Sequence, residues 1–284
     1  MSDTKSTMKL VEYLDDDNDL SKKGIDKLTG YVAEAKGLVD QMRCEEMISF
    51  ATSAVRDARN SDHVLDHVEK KTGIRLEILS GEDEARLTFL AVRRWYGWSA
   101  GRIVNLDIGG GSLELTSGTD EDPDAAYSLL LGAGRLTHEW FDTDPPERKK
   151  IDLLRDYIDA ELVEPARHLR TLGEPDLAVA TSKTFRTLAR LTGAAPSSAG
   201  PRVKRTLTAP GLRQLIAFIS RMTAADRAEL EGVSSNRSHQ IVAGALVAEA
   251  SMRALGLEQV EICPWALREG VILRRLDGNL YGKG

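Results

Sequence analysis

A chain of 284 residues, 42% hydrophobic and 29% charged, has the length for two cores and the profile of a water-soluble globular protein. Its net charge of −6 argues against a surface built for nucleic acid, so a phosphate-rich ligand needs a local basic patch. No apolar run approaches the roughly 20 residues of a membrane helix, the Met-Ser-Asp-Thr-Lys start lacks an apolar signal core, and Cys44 and Cys263 lie in apolar contexts that favour buried thiols over a disulfide frame or a metal site. The cytoplasm is the expected compartment.

The first hundred residues read as mixed α and β. Met8 to Tyr13 is a short strand candidate, and Asp15 to Asp19 is an acidic turn. Ser21 is placed to cap a helix through Ile25, Leu28, Val32, Ala35 and Val39. Met47 to Ala51 is apolar enough for a buried strand, Val64 to Lys71 reads as a helix ended by Gly73, and Arg75 to Leu79 alternates like a strand. A helix then opens at Ser80 or Gly81 and runs to about Trp95. The composition changes near Trp98 to Arg102, which predicts a first domain over 1–101 and a second over 102–284.

From Arg102 onward, Ile103–Leu106, Leu113–Thr116 and Ala126–Leu131 follow one another through short turns, the pattern of an antiparallel meander. Helices are predicted near Leu136–Phe141 and over Arg148–Leu169, then a buried strand at Leu177–Ala180 and a helix over Ser182–Leu191. Ala194 to Pro201 is a loop. Two or three helices fill Ala209–Leu255, a last strand spans Val260–Cys263, and a last helix runs from Ala266 to Leu276. This is an α/β layout. It resembles the ribonuclease H-like half of the actin, hexokinase and Hsp70 superfamily, in which two such halves face each other across a phosphate-binding cleft.

The run Asp107-Ile108-Gly109-Gly110-Gly111-Ser112 is the most informative segment. Three glycines remove the Cβ atoms that keep a phosphate away from the backbone, and successive N–H groups in such a turn form an anion-binding nest. Asp107 sets a carboxylate beside it, as a metal-dependent phosphate site needs. A tight hairpin with a capping Asp is the plain alternative.

Four ordered blocks resemble the Ppx/GppA family of exopolyphosphatases and guanosine pentaphosphate phosphohydrolases: Ala51–Asn60, Ile78–Leu87, Asp107–Glu114 and Trp265–Val271, with Arg237–Gly244 a weaker fifth. The match covers nearly the whole chain and looks closest to short, two-domain actinobacterial members. It implies two ribonuclease H-like domains around a cleft, with the final helix, 266–277, packing back on the first. It implies that Glu84 is the general base that deprotonates the attacking water, and that Arg56 and Arg237 bind substrate phosphate together with Gly109, Gly110, Gly111 and Ser112. It further implies that Asp107, supported by Glu114, holds Mg²⁺ or Mn²⁺. Read without the resemblance, Glu84 is a carboxylate at a helix N-terminus, Arg56 and Arg237 are helix-surface arginines, and Glu114 is an exposed strand residue. Thr52 and Ser53 can present hydroxyls or N–H groups at the start of the helix that carries Arg56.

Two departures from the family pattern stand out. Members usually begin with a strand leading into an Asp-x-Gly-Ser-Asn phosphate loop, and the match here begins past that block. The expectation is an N-terminally truncated chain, its first domain incomplete and its activity weak, with a misassigned start as the favoured origin. At Ala180-Thr181-Ser182-Lys183-Thr184, relatives often carry a glycine-rich turn near a nucleotide; the bulkier residues here weaken the case for a nucleoside ligand, and Lys183 either meets phosphate or caps a surface helix.

The expected activity is release of terminal phosphate from inorganic polyphosphate, or from a (p)ppGpp-type substrate, by metal-assisted attack of water. A non-catalytic sensor of polyphosphate or an alarmone is the alternative from another class, and a sugar or acid kinase is weaker. The basic loop Arg202–Arg205 either guides a polyanion or is simply solvated. His63 and His67, four residues apart, read as surface residues. Relatives often form homodimers, although no heptad or exposed apolar stripe demands it here. No nucleic-acid or membrane partner is expected.

Overall fold

The computed structural model describes residues 10–15 and 17–281, and the chain divides into two units between Ser80 and Gly81. Met8 and Lys9 of the expected first strand lie outside the described residues, and Leu10–Tyr13 forms a 3-10 helix, not a strand.

In the first unit, α1 (Lys22–Met42) is capped by Ser21, whose hydroxyl accepts from the Gly24 N–H. Its Ile25, Leu28 and Val32 form one stripe and pack with Val64 and Val68 of α3 (Ser61–Thr72). Between them lie β1 (Phe50–Ala51) and α2 (Ser53–Arg56). Gly73 ends α3 in the left-handed region, φ 71°, as read from the sequence. β2 (Glu77–Ile78) pairs parallel with β1. Both strands are shorter than the apolar runs suggest: Ile48, expected inside a buried strand, is exposed.

The second unit opens with α4 (Gly81–Tyr96) and holds a six-stranded sheet. Its strands are β3 (Ile103–Ile108), β4 (Leu113–Gly118), β5 (Ala125–Leu129), β6 (Leu177–Thr181), β7 (Thr206–Thr208) and β8 (Gln259–Ile262), in the order β5-β4-β3-β6-β8-β7. β3, β4 and β5 form the expected antiparallel meander, and β6 and β8 continue parallel to β3. This is the ribonuclease H-like arrangement. β7 was not expected; it is three residues long and follows a basic loop, too short to show a pattern.

The helices of this unit are α5 (Ala133–Trp140), α6 (Arg148–Thr171), α7 (Ser182–Leu191), α8 (Ala209–Ile219), α9 (Ala224–Ala228), α10 (Ile241–Ala254) and α11 (Leu267–Tyr281). α10 is buried from Ile241 to Met252, which is why its sequence is apolar on every side. Val104, Leu106 and Ile108 pack in the same core as Leu154 and Ile158 of α6 and Leu246 of α10. The alternate residues of β3 face the other way, and Ile103 joins Phe89 and Val92 of α4. That packing moves the boundary from the expected Gly101 to Ser80–Gly81, because α4 buries its apolar face on the second sheet. α11 crosses α4 closely, and a Cβ on Gly270 would lie 1.9 Å from the Leu87 carbonyl oxygen. The final helix therefore packs on α4, a helix the sequence placed in the first domain.

Arg93 locks α4 in place. It is 1% exposed, and its guanidinium donates to the carbonyls of Asp120 (3.3 Å), Gly97 (3.3 Å), Gly101 (2.8 Å) and Gly118 (2.9 Å). Burial lowers its pKa, but four carbonyl partners satisfy the cation. Arg93→Met keeps the bulk and strands those acceptors, so unfolding of the second unit should lose about 3 kcal/mol. A urea midpoint equal to that of wild type would contradict this role.

Candidate functional site

The glycine run turns β3 into β4, and the register sets Asp107 opposite Glu114. The Gly109 N–H donates to the Ser112 carbonyl at 2.9 Å and closes the turn. The turn's carbonyls are consumed by the start of α5. Gly109 O accepts from Ala133 N at 3.1 Å, and Gly110 O accepts from Gly134 N and Arg135 N, each at 2.9 Å. Gly111 O accepts from Arg135 Nε at 3.2 Å. In a trans peptide the N–H points opposite to the C=O of the same plane. The N–H groups of Gly110, Gly111 and Ser112 therefore point away from α5, and among the described residues none of them is donated to protein. The turn thus presents three neighbouring N–H donors outward, and Gly109, whose N–H closes the turn, is not among them.

The turn can sit this close to α5 only because the helix begins with Gly132. A Cβ there would lie 2.2 Å from Gly111 C and 2.3 Å from Ser112 N.

The carboxylates gather beside these donors. Asp107 Oδ2 accepts from Thr181 Oγ1 at 2.6 Å, across the β3–β6 pair in which the two residues are register partners. Thr184 Oγ1, in the first turn of α7, donates to Ile108 O at 3.1 Å. Burial pushes the Asp107 carboxyl up to about 6, against the opposing pull of the Thr181 hydroxyl and the Arg186 charge. Glu114 is 2% exposed and accepts from Ser128 Oγ at 2.9 Å. Its pKa is raised well above the ordinary glutamate range, first by burial, then by the charge of Glu84, then by that of Asp107. Glu84 stands in the first turn of α4, the helix lying over β3, β4 and β5. The charges of Glu84 and Asp107 thus both act on Glu114, beside the glycine turn.

A buried glutamate that feels two other carboxylate charges suits a hard divalent cation. Among the described residues no set of three His, Cys, Asp or Glu side chains forms a ready-made metal cage. A divalent cation bound by one or two carboxylates and completed by water and substrate oxygens needs no such cage.

Arg237 belongs to the same unit, in a 3-10 segment before α10. Its pKa is lowered by burial and then by the charge of Arg186. Arg56 belongs to the first unit, where its Nε donates to Asp57 Oδ1 (2.9 Å) and its Nη1 to Leu79 O (3.2 Å). Thr52 precedes α2 in an extended conformation without a side-chain cap, and Ser53 is buried. The basic loop is largely occupied with its own structure: Arg205 donates to the carbonyls of Ala195, Pro196, Gly200 and Val203, Lys204 pairs with Glu261, and Arg202 lies over the Trp95 ring. His63 and His67 stand with ring centroids 6.3 Å apart.

Thr181, Ser128, Gly132 and Arg186 were not singled out in the sequence. Thr181 and Ser128 act through register across strands, which one sequence does not display. The available signal was positional: Thr181 ends the strand beside Asp107.

A family model described as the Ppx/GppA phosphatase family matches residues 1–279. The chain is 67% identical over 282 residues to exopolyphosphatase 1 of Mycobacterium tuberculosis, covering 99% of this chain and 82% of that protein. It is 25% identical to a guanosine-5'-triphosphate,3'-diphosphate pyrophosphatase of Aeromonas hydrophila, over 97% of this chain and 54% of that protein. Its fold is similar to the crystal structure of an exopolyphosphatase from Cytophaga hutchinsonii, with a TM-score of 0.82 at 23% identity, covering 92% of this chain and 84% of the other.

Proposed function

This chain belongs to the Ppx/GppA phosphatase family, and from that premise we propose that it is an exopolyphosphatase, releasing orthophosphate from the end of inorganic polyphosphate. The observation that carries the reading is the glycine turn, its carbonyls spent on α5 and its three N–H groups facing outward beside Glu84, Asp107 and Glu114.

The chemistry follows from those parts. Hydrolysis of a phosphoanhydride depends on positioning and charge neutralisation more than on covalent catalysis. The N–H groups of Gly110, Gly111 and Ser112 hold oxygens of the terminal phosphoryl group. Asp107, with Glu114 behind it, would hold Mg²⁺ or Mn²⁺, which when bound offsets charge on the phosphoryl oxygens. Thr181 and Ser128 fix the orientation of these two carboxylates. Glu84 orients a water in line with the scissile bond and takes its proton as the oxygen attacks phosphorus. The bridging P–O bond breaks, orthophosphate leaves, and the chain is one unit shorter. Arg237 supplies a cationic fork for phosphate oxygens.

Similarity to the Aeromonas pyrophosphatase keeps guanosine pentaphosphate as a second candidate substrate. Ser182 and Lys183, standing where the resembling family often carries glycines, favour the unadorned polyanion. A cytoplasmic compartment remains the reading of the sequence; among the described residues no helix is long and apolar enough to cross a membrane.

The test is phosphate release from polyphosphate and from guanosine pentaphosphate, each with Mg²⁺, Mn²⁺ or EDTA. Polyphosphate hydrolysis that EDTA abolishes is expected. Binding of polyphosphate with no turnover under any metal would establish the sensor reading instead.

A further inference from the structure

On the face of the sheet that α4 covers, the strands present two neighbouring rows of side chains. The first is the reaction row, Thr181, Asp107, Glu114 and Ser128, register partners across β6, β3, β4 and β5. Both outer hydroxyls donate to the inner carboxylates, so all four side chains share this face. The second row lies two residues away along each strand and therefore faces the same way. It is Val179, Asn105, Thr116 and Ala126, again register partners.

This second row is built differently. Its outer members are apolar and offer no hydrogen bond to its centre. Asn105 is 1% exposed and Thr116 is fully buried, yet Asn105 Oδ1 and Thr116 Oγ1 have no hydrogen-bond partner among the described residues. α4 covers the place with Phe89 and Val92, which pack with Ile103 and Val179 beside Asn105. Apolar side chains would fill these positions without penalty, whereas each buried polar atom that lacks a bond costs about 1–3 kcal/mol. A buried water offsets such a cost, because it needs only two to four polar partners and room for one molecule.

The hydrogen bonds of such a water can be counted. Asn105 Oδ1 accepts one of its hydrogens, and the Thr116 hydroxyl donates to its oxygen. The second hydrogen needs another acceptor. Val179 and Ala126 at the sides, and Ile103 and Gly118 in the row behind, have no side-chain oxygen. The row ahead holds two carboxylates. Residues two apart along a strand are separated by about 7 Å, an interval that one water spans with a bond of roughly 2.8 Å on each side.

We infer that Asn105 and Thr116 hold a buried water that donates to the Asp107–Glu114 pair, and that they are positioning residues of the metal centre. They touch neither metal nor substrate. Through the water they fix the carboxylates from behind, as Thr181 and Ser128 fix them from the sides. This role rests on the reading that Asp107 and Glu114 hold a divalent cation. Losing a hydrogen-bond partner of a metal-binding group typically costs about 10–100-fold in metal affinity.

The experiment follows Mn²⁺ binding by electron paramagnetic resonance, without substrate, in wild type, Thr116→Val, Thr116→Ser and Asp107→Asn. Valine keeps the shape of threonine and removes the hydroxyl; serine keeps the hydroxyl. Circular dichroism and a urea titration check the fold, and the Thr116→Val midpoint should not fall, because no bond between protein groups is lost. Mn²⁺ affinity should drop about tenfold in Thr116→Val and stay within about twofold of wild type in Thr116→Ser. In phosphate-release assays the deficit of Thr116→Val should disappear at saturating Mn²⁺, a changed metal requirement with little change in kcat. Wild-type affinity in Thr116→Val would overturn this role, and so would an equal loss in Thr116→Ser, which is the mark of packing. Asp107→Asn separates the premise from the role. If it binds Mn²⁺ as tightly as wild type, the cation does not sit at Asp107 and the role falls with the metal centre. If it loses Mn²⁺ while Thr116→Val does not, the metal centre stands and only the water-mediated role is refuted.

Discussion

Glu84→Gln should lower phosphate release from polyphosphate by about 10²–10⁴-fold, the range a positioned general base contributes. The amide keeps the shape of the side chain and cannot take the proton. The first turn of α4 also holds Glu82 and Asp83, so the helix keeps carboxylates at its N-terminus and the fold should be unharmed. Binding should not weaken, because the substitution removes one negative charge from beside a polyanion. Removing the Glu84 charge also takes away the second-largest cause of the raised Glu114 pKa, so the Glu114 carboxyl should ionise at lower pH than in wild type. The measurement is steady-state phosphate release together with tripolyphosphate binding. Turnover at the wild-type rate would remove Glu84 as the base; loss of turnover together with loss of binding would make it a substrate ligand instead.

What the sequence displayed and what it concealed separate along a physical line. The glycine turn was legible as a turn because three glycines lie between two apolar strand runs, and Asp107 and Glu114 sit at its two ends in the primary sequence. The meander β3–β4–β5 and the helix α7 were legible through short turns and periodicity. Arg93 was not, because its four carbonyl partners come from α4's own end and from the segments on either side of β3 and β4, and only the fold brings them together. Thr181 and Ser128 were hidden for the same reason. The division at Ser80 is not legible because α4 is buried continuously from Thr88 to Arg93, and periodicity does not say which sheet those residues meet. Met47 to Ala51 shows the opposite: the apolar run suggests a buried strand, yet only Phe50 and Ala51 pair and Ile48 is exposed.

The second large effect is expected at a residue with no functional group. Gly132→Ala adds one methyl, and the backbone does not resist it, since φ −71° and ψ 144° suit any residue. Space resists it. The new Cβ would meet the Gly111–Ser112 peptide at 2.2 to 2.4 Å, backbone against backbone, with no flexible side chain to yield. Either α5 or the glycine turn must move, and the bonds from Ala133, Gly134 and Arg135 to the turn's carbonyls stretch with it. Overpacking of this kind costs about 1–3 kcal/mol, and a displacement of about 1 Å at catalytic donors costs about 10²-fold in rate. Gly132→Ala should therefore lower both the melting temperature and kcat. Gly110→Ala supplies the contrast, because a Cβ there meets nothing within 4 Å. Its melting temperature should stay near that of wild type while its affinity for phosphate falls, since the methyl crowds the donors from the open side. If Gly110→Ala binds and turns over like wild type, phosphate does not seat on this turn; if Gly132→Ala is silent in both assays, the close approach of α5 does not set the turn's geometry.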